Sequence, residues 1–388
     1  MRDFNFYTPT KIYFGKGKEA LVGEIIKEYG FKKIMLQYGM GSIKKCGLYD
    51  AVMTSLKENG IEVVEAGGVE PNPKYDFIKN AVEIAKTENV ELILAVGGGS
   101  VIDSSKYTAI GAASGLDVFD IAMGKVKNDK ALPVACILTI SAAGSEMSAS
   151  AVLTNTEAGI KKGTNGDYIR PLFSILNPEL TYSVSPYQTA CGISDIMAHT
   201  MERYFIPCDD TPLTDRIALA LLKSVVEAGK VAMKEPNNYD ARADIMWASS
   251  LSHNNLTGCG RENALPVHQL EHALSGMFDH VAHGAGLAVL FPAWMRYAYK
   301  KNVKRFADFA RGVFDVTDTD DEVAAVKGIE ALEGFFKEIG MPLSLREFGI
   351  ENEAEALANL CTMNRTRTIK SYVEIDTNVA KEIFQSCY

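Results

Sequence analysis

The order of apolar and polar residues divides the chain into two textures. In the first half, short apolar runs alternate with stretches of helical period. Residues 33–38 read as a strand, glycines follow, and an amphipathic segment continues to residue 57. Residues 61–66 read as a second strand, and residues 79–87 have helical spacing. Residues 91–96 form an apolar run stopped by three glycines; a helix begins near Val101, and residues 132–140 read as a further strand. Strands alternating with helices predict a doubly wound, largely parallel sheet. Two more apolar runs, residues 149–153 and 172–176, bracket a polar stretch with Lys161, Lys162 and Gly163. They read as a hairpin or as an edge addition to that sheet.

Past Ser185-Pro186 the alternating runs all but disappear. Helical spacing takes over at residues 189–204, 216–233, 242–251, 267–277 and 326–339. The expected fold is an α/β domain with a doubly wound parallel sheet over residues 1–185, followed by an all-helical domain over residues 186–388. With 388 residues, 47% of them hydrophobic, the chain has material for more than one core.

Charge and cysteine usage narrow the partners. A net charge of −9 offers no basic surface for nucleic acid or an anionic membrane. No stretch approaches the ~18 consecutive apolar residues of a membrane span, and the start Met1-Arg2-Asp3-Phe4-Asn5 has no leader pattern. The seven cysteines are scattered without a Cys-x-x-Cys pair, as in a reducing compartment. A cytoplasmic protein is expected.

Two places in the first domain carry binding chemistry. Gly97-Gly98-Gly99-Ser100 follows a strand and opens a helix. Glycines there let a phosphate approach, and first-turn N–H groups with the positive helix end bind it. Asp103 lies in that first turn, able to meet an amide or hydroxyl. A tight strand-to-helix turn without a ligand would read the same way. A second cluster, Tyr38-Gly39-Met40-Gly41-Ser42, precedes Lys44 and Lys45. Dinucleotide sites that exclude a 2′-phosphate carry a carboxylate near such a strand end; Gly39 leaves room for one, although a turn with two solvated lysines also fits.

All six histidines, His199, His253, His268, His272, His280 and His283, lie in the second domain. Asp195 and His199 are four apart in a helical pattern, so they share one face; His268 and His272 repeat the spacing. His283, followed by Gly284, ends the loop beyond. One carboxylate with imidazoles from two helices and a loop suits Zn²⁺ or Fe²⁺ with a position left open. A lone Asp-x-x-x-His pair is commonly a surface or capping pair, and His253 and His280 read as structural. His268-Gln269-Leu270-Glu271-His272 also fits the inverted motif of zinc peptidases, with Glu271 as base. That reading leaves the glycine-rich half without a purpose. A metal-dependent lyase or synthase on a dinucleotide-binding scaffold is a further alternative.

With these residues in view, the chain resembles the iron-containing (group III) alcohol dehydrogenases, and within them the NADPH-dependent butanol dehydrogenases. The matching motifs run from Phe6-Tyr7-Thr8-Pro9 through Tyr38-Gly39-Met40-Gly41-Ser42, Glu70-Pro71-Asn72-Pro73 and Gly97 to Asp103. They continue at Gly144-Ser145-Glu146, Ser194-Asp195-Ile196-Met197-Ala198-His199, and His268 to His283. The resemblance implies a metal on Asp195, His199, His268 and His283, with Fe²⁺ expected and Zn²⁺ as the alternative. It implies NADP(H), or NAD(H), held by Gly39, Ser42, Asn72, Gly98, Gly99, Ser100, Asp103, Thr139 and Lys162. Ala143 stands where a threonine is common in the family. The expected reaction is hydride transfer between the nicotinamide and a small primary alcohol or aldehyde, with His272 as a candidate proton relay. A glycerol-dehydrogenase-like enzyme on the same scaffold is the alternative, and a homodimer is expected by base rate.

Overall fold

The computed structural model describes residues 1–208, 210–262 and 264–388. Packing divides the chain into one unit of residues 7–184 and another of residues 1–6 with 185–388.

The 7–184 unit carries eight strands: β1 (Lys11–Phe14), β2 (Lys33–Gly39), β3 (Glu62–Val69), β4 (Leu92–Gly97), β5 (Val134–Leu138), β6 (Ser150–Asn155), β7 (Ile160–Asn165) and β8 (Phe173–Leu176). Its helices are α1 (Val22–Glu28), α2 (Ser42–Lys45), α3 (Leu48–Glu58), α4 (Tyr75–Thr87), α5 (Gly99–Ser114) and α6 (Val118–Ala122). Six strands form one sheet in the order β1-β8-β5-β4-β2-β3, every pair parallel. Every residue of β4, β5 and β8 is buried. Helices cover both faces of such strands, so they read as unbroken apolar runs. Alternate residues serve opposite layers: Ile34, Leu36, Leu92, Leu94 and Val96 pack with Val22, Ile26 and Val52 of α1 and α3. On the opposite layer Ile78, Val82, Tyr107 and Ile110 of α4 and α5 form a second cluster with Ala151 and Leu153.

The hairpin expectation needs correction. Residues 149–153 and 172–176 do not pair. β6 pairs antiparallel with β7, through the polar stretch that holds Lys161 and Lys162. β8 is an interior strand between β1 and β5. A short apolar run announces burial on two faces and does not say which neighbour it will find.

In the other unit the helices are α7 (Pro186–Tyr204), α8 (Pro212–Lys234), α9 (Tyr239–His253), α10 (Pro266–Met277), α11 (His283–Ala298), α12 (Val303–Phe314), α13 (Asp321–Glu338), α14 (Ala354–Cys361) and α15 (Thr377–Gln385). Three of them, α7, α8 and α10, open on proline, where the missing N–H costs nothing. Helix α11 is buried over almost its whole length and packs Phe291, Trp294 and Met295 into the core. Its sequence shows no polar stripe, so periodicity gave no sign of a helix there. Among the described residues, no helix is long and apolar enough to cross a membrane.

Candidate functional site

Four of the expected cofactor positions lie just beyond the carboxyl ends of four neighbouring strands. Gly39 ends β2, Asn72 follows β3, Gly98 follows β4 and Thr139 follows β5. The chain runs from β2 outward to β3 and then returns to place β4 on the other side of β2. The crevice of an open α/β sheet lies where the strand order reverses in this way. The turn after β2 and the turn after β4 flank that reversal.

Gly98 is the N-cap of α5, and the helix has no side-chain cap. Its ladder begins with Val101 N and Ile102 N, both donating to Gly98 O. The N–H groups of Gly99 and Ser100 therefore stand at the positive end of the helix, the arrangement that takes an anion. Ser42 is the first residue of the four-residue α2. The Lys44 ammonium lies over the rings of Tyr38 and Tyr49, at 4.9 and 4.5 Å, while Lys45 is exposed. Lys162 is half-buried in β7.

Asp103 faces inward. Its Oδ1 accepts from Ser145 Oγ at 2.5 Å and its Oδ2 from Val152 N at 2.8 Å. One turn on, fully buried Lys106 donates to the carbonyls of Ser145 (2.7 Å), Ser148 (3.0 Å) and Ser150 (2.8 Å). Burial pushes the Lys106 amine down to about 8, against the pull of Asp103. Helix α5 thus holds the 145–152 segment by two charged side chains, a role that sequence spacing did not show for Lys106.

The second site is built by three helices. Asp195, His199 and Glu202 occupy positions i, i+4 and i+7 of α7 and form one stripe. His268, Glu271 and His272 lie on α10, and His283 is the first residue of α11 rather than the end of a loop. A Cβ on Gly284 would sit 2.0 Å from the carbonyl oxygen of Cys191 on α7. Only glycine lets α11 start this close, which brings His283 to Asp195.

Asp195 Oδ1 lies 3.4 Å from His199 Nδ1, 3.4 Å from His268 Nε2 and 3.8 Å from His283 Nε2. Asp195, His199 and His268 are each only 4% exposed. Asp195 Oδ1, His199 Nδ1 and His268 Nε2 have no hydrogen-bond partner among the described residues. Buried polar atoms are almost always satisfied, so three orphans facing one another call for something between them. Ligand atoms about 2.1 Å from an ion at the corners of a tetrahedron stand about 3.4 Å apart. The residues present fit a dication.

Charge points the same way. Burial holds the His199 imidazole well below its usual range, with His253, His268 and Arg203 adding to the effect, so it is neutral as a ligand must be. Burial also works against protonation of His268, yet the Glu202 carboxylate and Asp195 raise it to about 9. The carboxylates here attract positive charge, whether a proton or an ion.

Sequence reasoning missed Glu202 and read Glu271 only as the base of the peptidase alternative. Glu202 Oε2 takes His268 Nδ1, and Glu271 Oε2 takes His283 Nδ1. Extending the Asp195 and His199 stripe by three residues would have found Glu202. Glu271, the base in the peptidase alternative, is fully buried on His283, and that alternative falls with it. The His272 ring is half-buried, its centroid 5.6 Å from that of His283 and 6.3 Å from that of His268. His253 packs edge-on to His199 at 4.0 Å, and His280 Nε2 meets Phe348 O, away from the cluster.

The family model described as iron-containing alcohol dehydrogenase matches residues 9–178, and that of the C-terminal part of the Fe-containing family matches residues 189–388. The NADH-dependent butanol dehydrogenase A of Clostridium acetobutylicum is 41% identical with both chains fully covered. The NADPH-dependent aldehyde reductase YqhD of Escherichia coli is 35% identical over the full length of both. The crystal structure of NADH-dependent butanol dehydrogenase A from Thermotoga maritima superposes with a TM-score of 0.96 at 37% identity, covering 100% of this chain and 99% of that one.

Proposed function

The chain belongs to the iron-containing alcohol dehydrogenase family and is an oxidoreductase of that class, and from this premise we propose that it reduces small aldehydes such as butanal with NADPH. The observation that carries the reading is the trio of buried, unpartnered ligand atoms on Asp195, His199 and His268, with His283 beside them. An iron(II) ion held by these four supplies Lewis acidity for a carbonyl oxygen, and the dinucleotide supplies the hydride. Zinc would satisfy the same donors.

The chain's own groups do the rest. The N–H groups of Gly99 and Ser100, with Gly98 before them, receive the pyrophosphate. Asn72 and Thr139 offer polar groups at the strand ends, Lys162 offers a cation from β7, and Asp103 keeps the 145–152 segment in register. Gly39 and Ser42 put no carboxylate where the adenosine ribose would lie, and Lys45 stands exposed nearby. That combination favours the 2′-phosphate of NADPH. A ring nitrogen of His272 passes a proton to the product oxygen, directly or through water. The seven free thiols suit a cytoplasmic setting, and a homodimer is the working assembly.

Metal-loaded protein is assayed for NADPH and NADH oxidation with short aldehydes, beside Gly39→Asp. A Cβ at Gly39 would meet Val69 O at 3.5 Å and Val101 at 3.9 Å, ordinary contacts that admit the substitution. Wild-type protein should prefer NADPH, and the variant should move the kcat/KM ratio toward NADH by roughly 1–3 kcal/mol. An unchanged ratio sinks the cofactor assignment. Failure of any aldehyde to drive oxidation with either cofactor sinks the substrate class.

A further inference from the structure

A histidine presents two nitrogens, and an ion can use only one that carries a lone pair. What the other nitrogen meets decides which one is offered. At His268 and His283 that other nitrogen is Nδ1, and in both cases it meets a carboxylate whose side chain is fully buried. We infer that Glu202 and Glu271 are positioning residues of the metal centre, each taking the Nδ1–H of one imidazole and committing its Nε2 to the ion. The inference rests on the metal reading above and deepens it.

Each carboxylate is itself fixed. Glu202 comes from α7, the helix of Asp195 and His199, and reaches across to α10. Besides His268 Nδ1 it accepts the backbone N–H groups of Val267 at 2.5 Å and His268 at 3.2 Å. Helix α10 has no side-chain cap of its own, so Glu202 supplies that capping from another helix. One residue thereby sets both where α10 begins and how its first ligand is turned. Glu271 lies one turn further along α10 and holds the first residue of α11. Space for it is made by Gly286, where a Cβ would stand 3.1 Å from Glu271 Cγ and 3.2 Å from Oε1.

His199 is treated differently. It has the His253 ring edge-on against it, and the Arg203 guanidinium donates to its carbonyl at 2.7 Å. Two of the three imidazoles are therefore backed by negative charge, and the third is packed in place. Carboxylates behind ligands raise ligand basicity as well as fixing tautomer, and their loss commonly weakens metal binding 10- to 100-fold.

The test is a titration of metal-free protein with cobalt(II), followed by its visible absorption, which reports both affinity and ligand geometry. Glu271→Gln keeps shape and removes charge; it should bind cobalt about 10- to 100-fold more weakly with a changed spectrum. Because Glu271 acts through His283, the same substitution in a His283→Ala background should cause no further loss. Glu202→Gln with His268→Ala forms the parallel pair, but Glu202 also anchors α10, so the Glu271 pair decides the question. Glu271→Gln that binds cobalt as wild type does would overturn the inference. So would an equal additional loss in the His283→Ala background, the mark of a general packing role. Wild-type protein that takes up no cobalt would instead overturn the metal reading, and this inference with it.

Discussion

Asp195 shows at a single side chain how the helical unit keeps a site open. Its Oδ1 is buried among imidazoles without a hydrogen bond. Buried polar atoms are almost always hydrogen-bonded, so the Asp195 oxygen is poorly explained as a stability feature and well explained as a ligand atom. His272 is the contrasting case, half-buried and within reach of solvent. If it passes the proton, His272→Ala keeps metal content and NADPH affinity while kcat falls by roughly 10²- to 10⁴-fold, and added imidazole restores part of the rate. Metal content that falls in step with activity would make His272 a support for the ligands instead. That Asp195, His199, His268 and His283 come together was legible, because helical spacing puts Asp195 with His199 and all six histidines lie in one stretch of the sequence. Glu202 falls on the same helical stripe, but its role and that of Glu271 were not legible, because a carboxylate's partner on another helix leaves no mark on local spacing.

At the scale of single elements, α5 does two jobs. Its N-terminus faces the crevice, and its first two turns hold the 145–152 segment through Asp103 and Lys106. The Lys106 amine, pushed down to about 8, gives this arrangement a pH signature. Its folded pKa lies below the value of 10.5 for a free lysine, so the unfolded chain binds the proton more tightly. Stability therefore rises as pH climbs from about 8 toward 10.5, by up to about 3 kcal/mol, as the amine loses a charge it held at a cost. Urea unfolding of wild type and Lys106→Met across that range should show the difference between them widening in favour of wild type. Parallel curves would mean that the four acceptors around Nζ compensate the charge fully. Element reading from sequence succeeded where burial was one-sided or where a strand met glycine, as at Gly97. It missed α11, whose residues are apolar on every side, and β1, whose Lys-Ile-Tyr-Phe is too short and mixed to announce a strand. For β8 it found the run and misplaced the neighbour.

For the whole molecule, the two ligand classes fall on separate compact units: the expected dinucleotide positions on residues 7–184 and the expected ion on residues 185–388. Binding stabilises what it touches, by about 4 kcal/mol at a thousandfold excess over Kd. Removing the metal with a chelator should therefore speed amide hydrogen exchange in α7, α10 and the start of α11, while β2, β4 and β5 keep their protection. Exchange that rises equally in those strands would show that the ion stabilises both units as one. The sheet order carries a different consequence, for the time course of folding. β1 pairs with β8 alone, Lys11 against Phe173, although these residues are far apart in the chain. During synthesis the first strand leaves the ribosome early and waits, its edge unsatisfied, until β8 emerges to separate it from β5. Its four residues, two of them at least a third exposed even in the finished sheet, make a poor template for stray pairing during that wait.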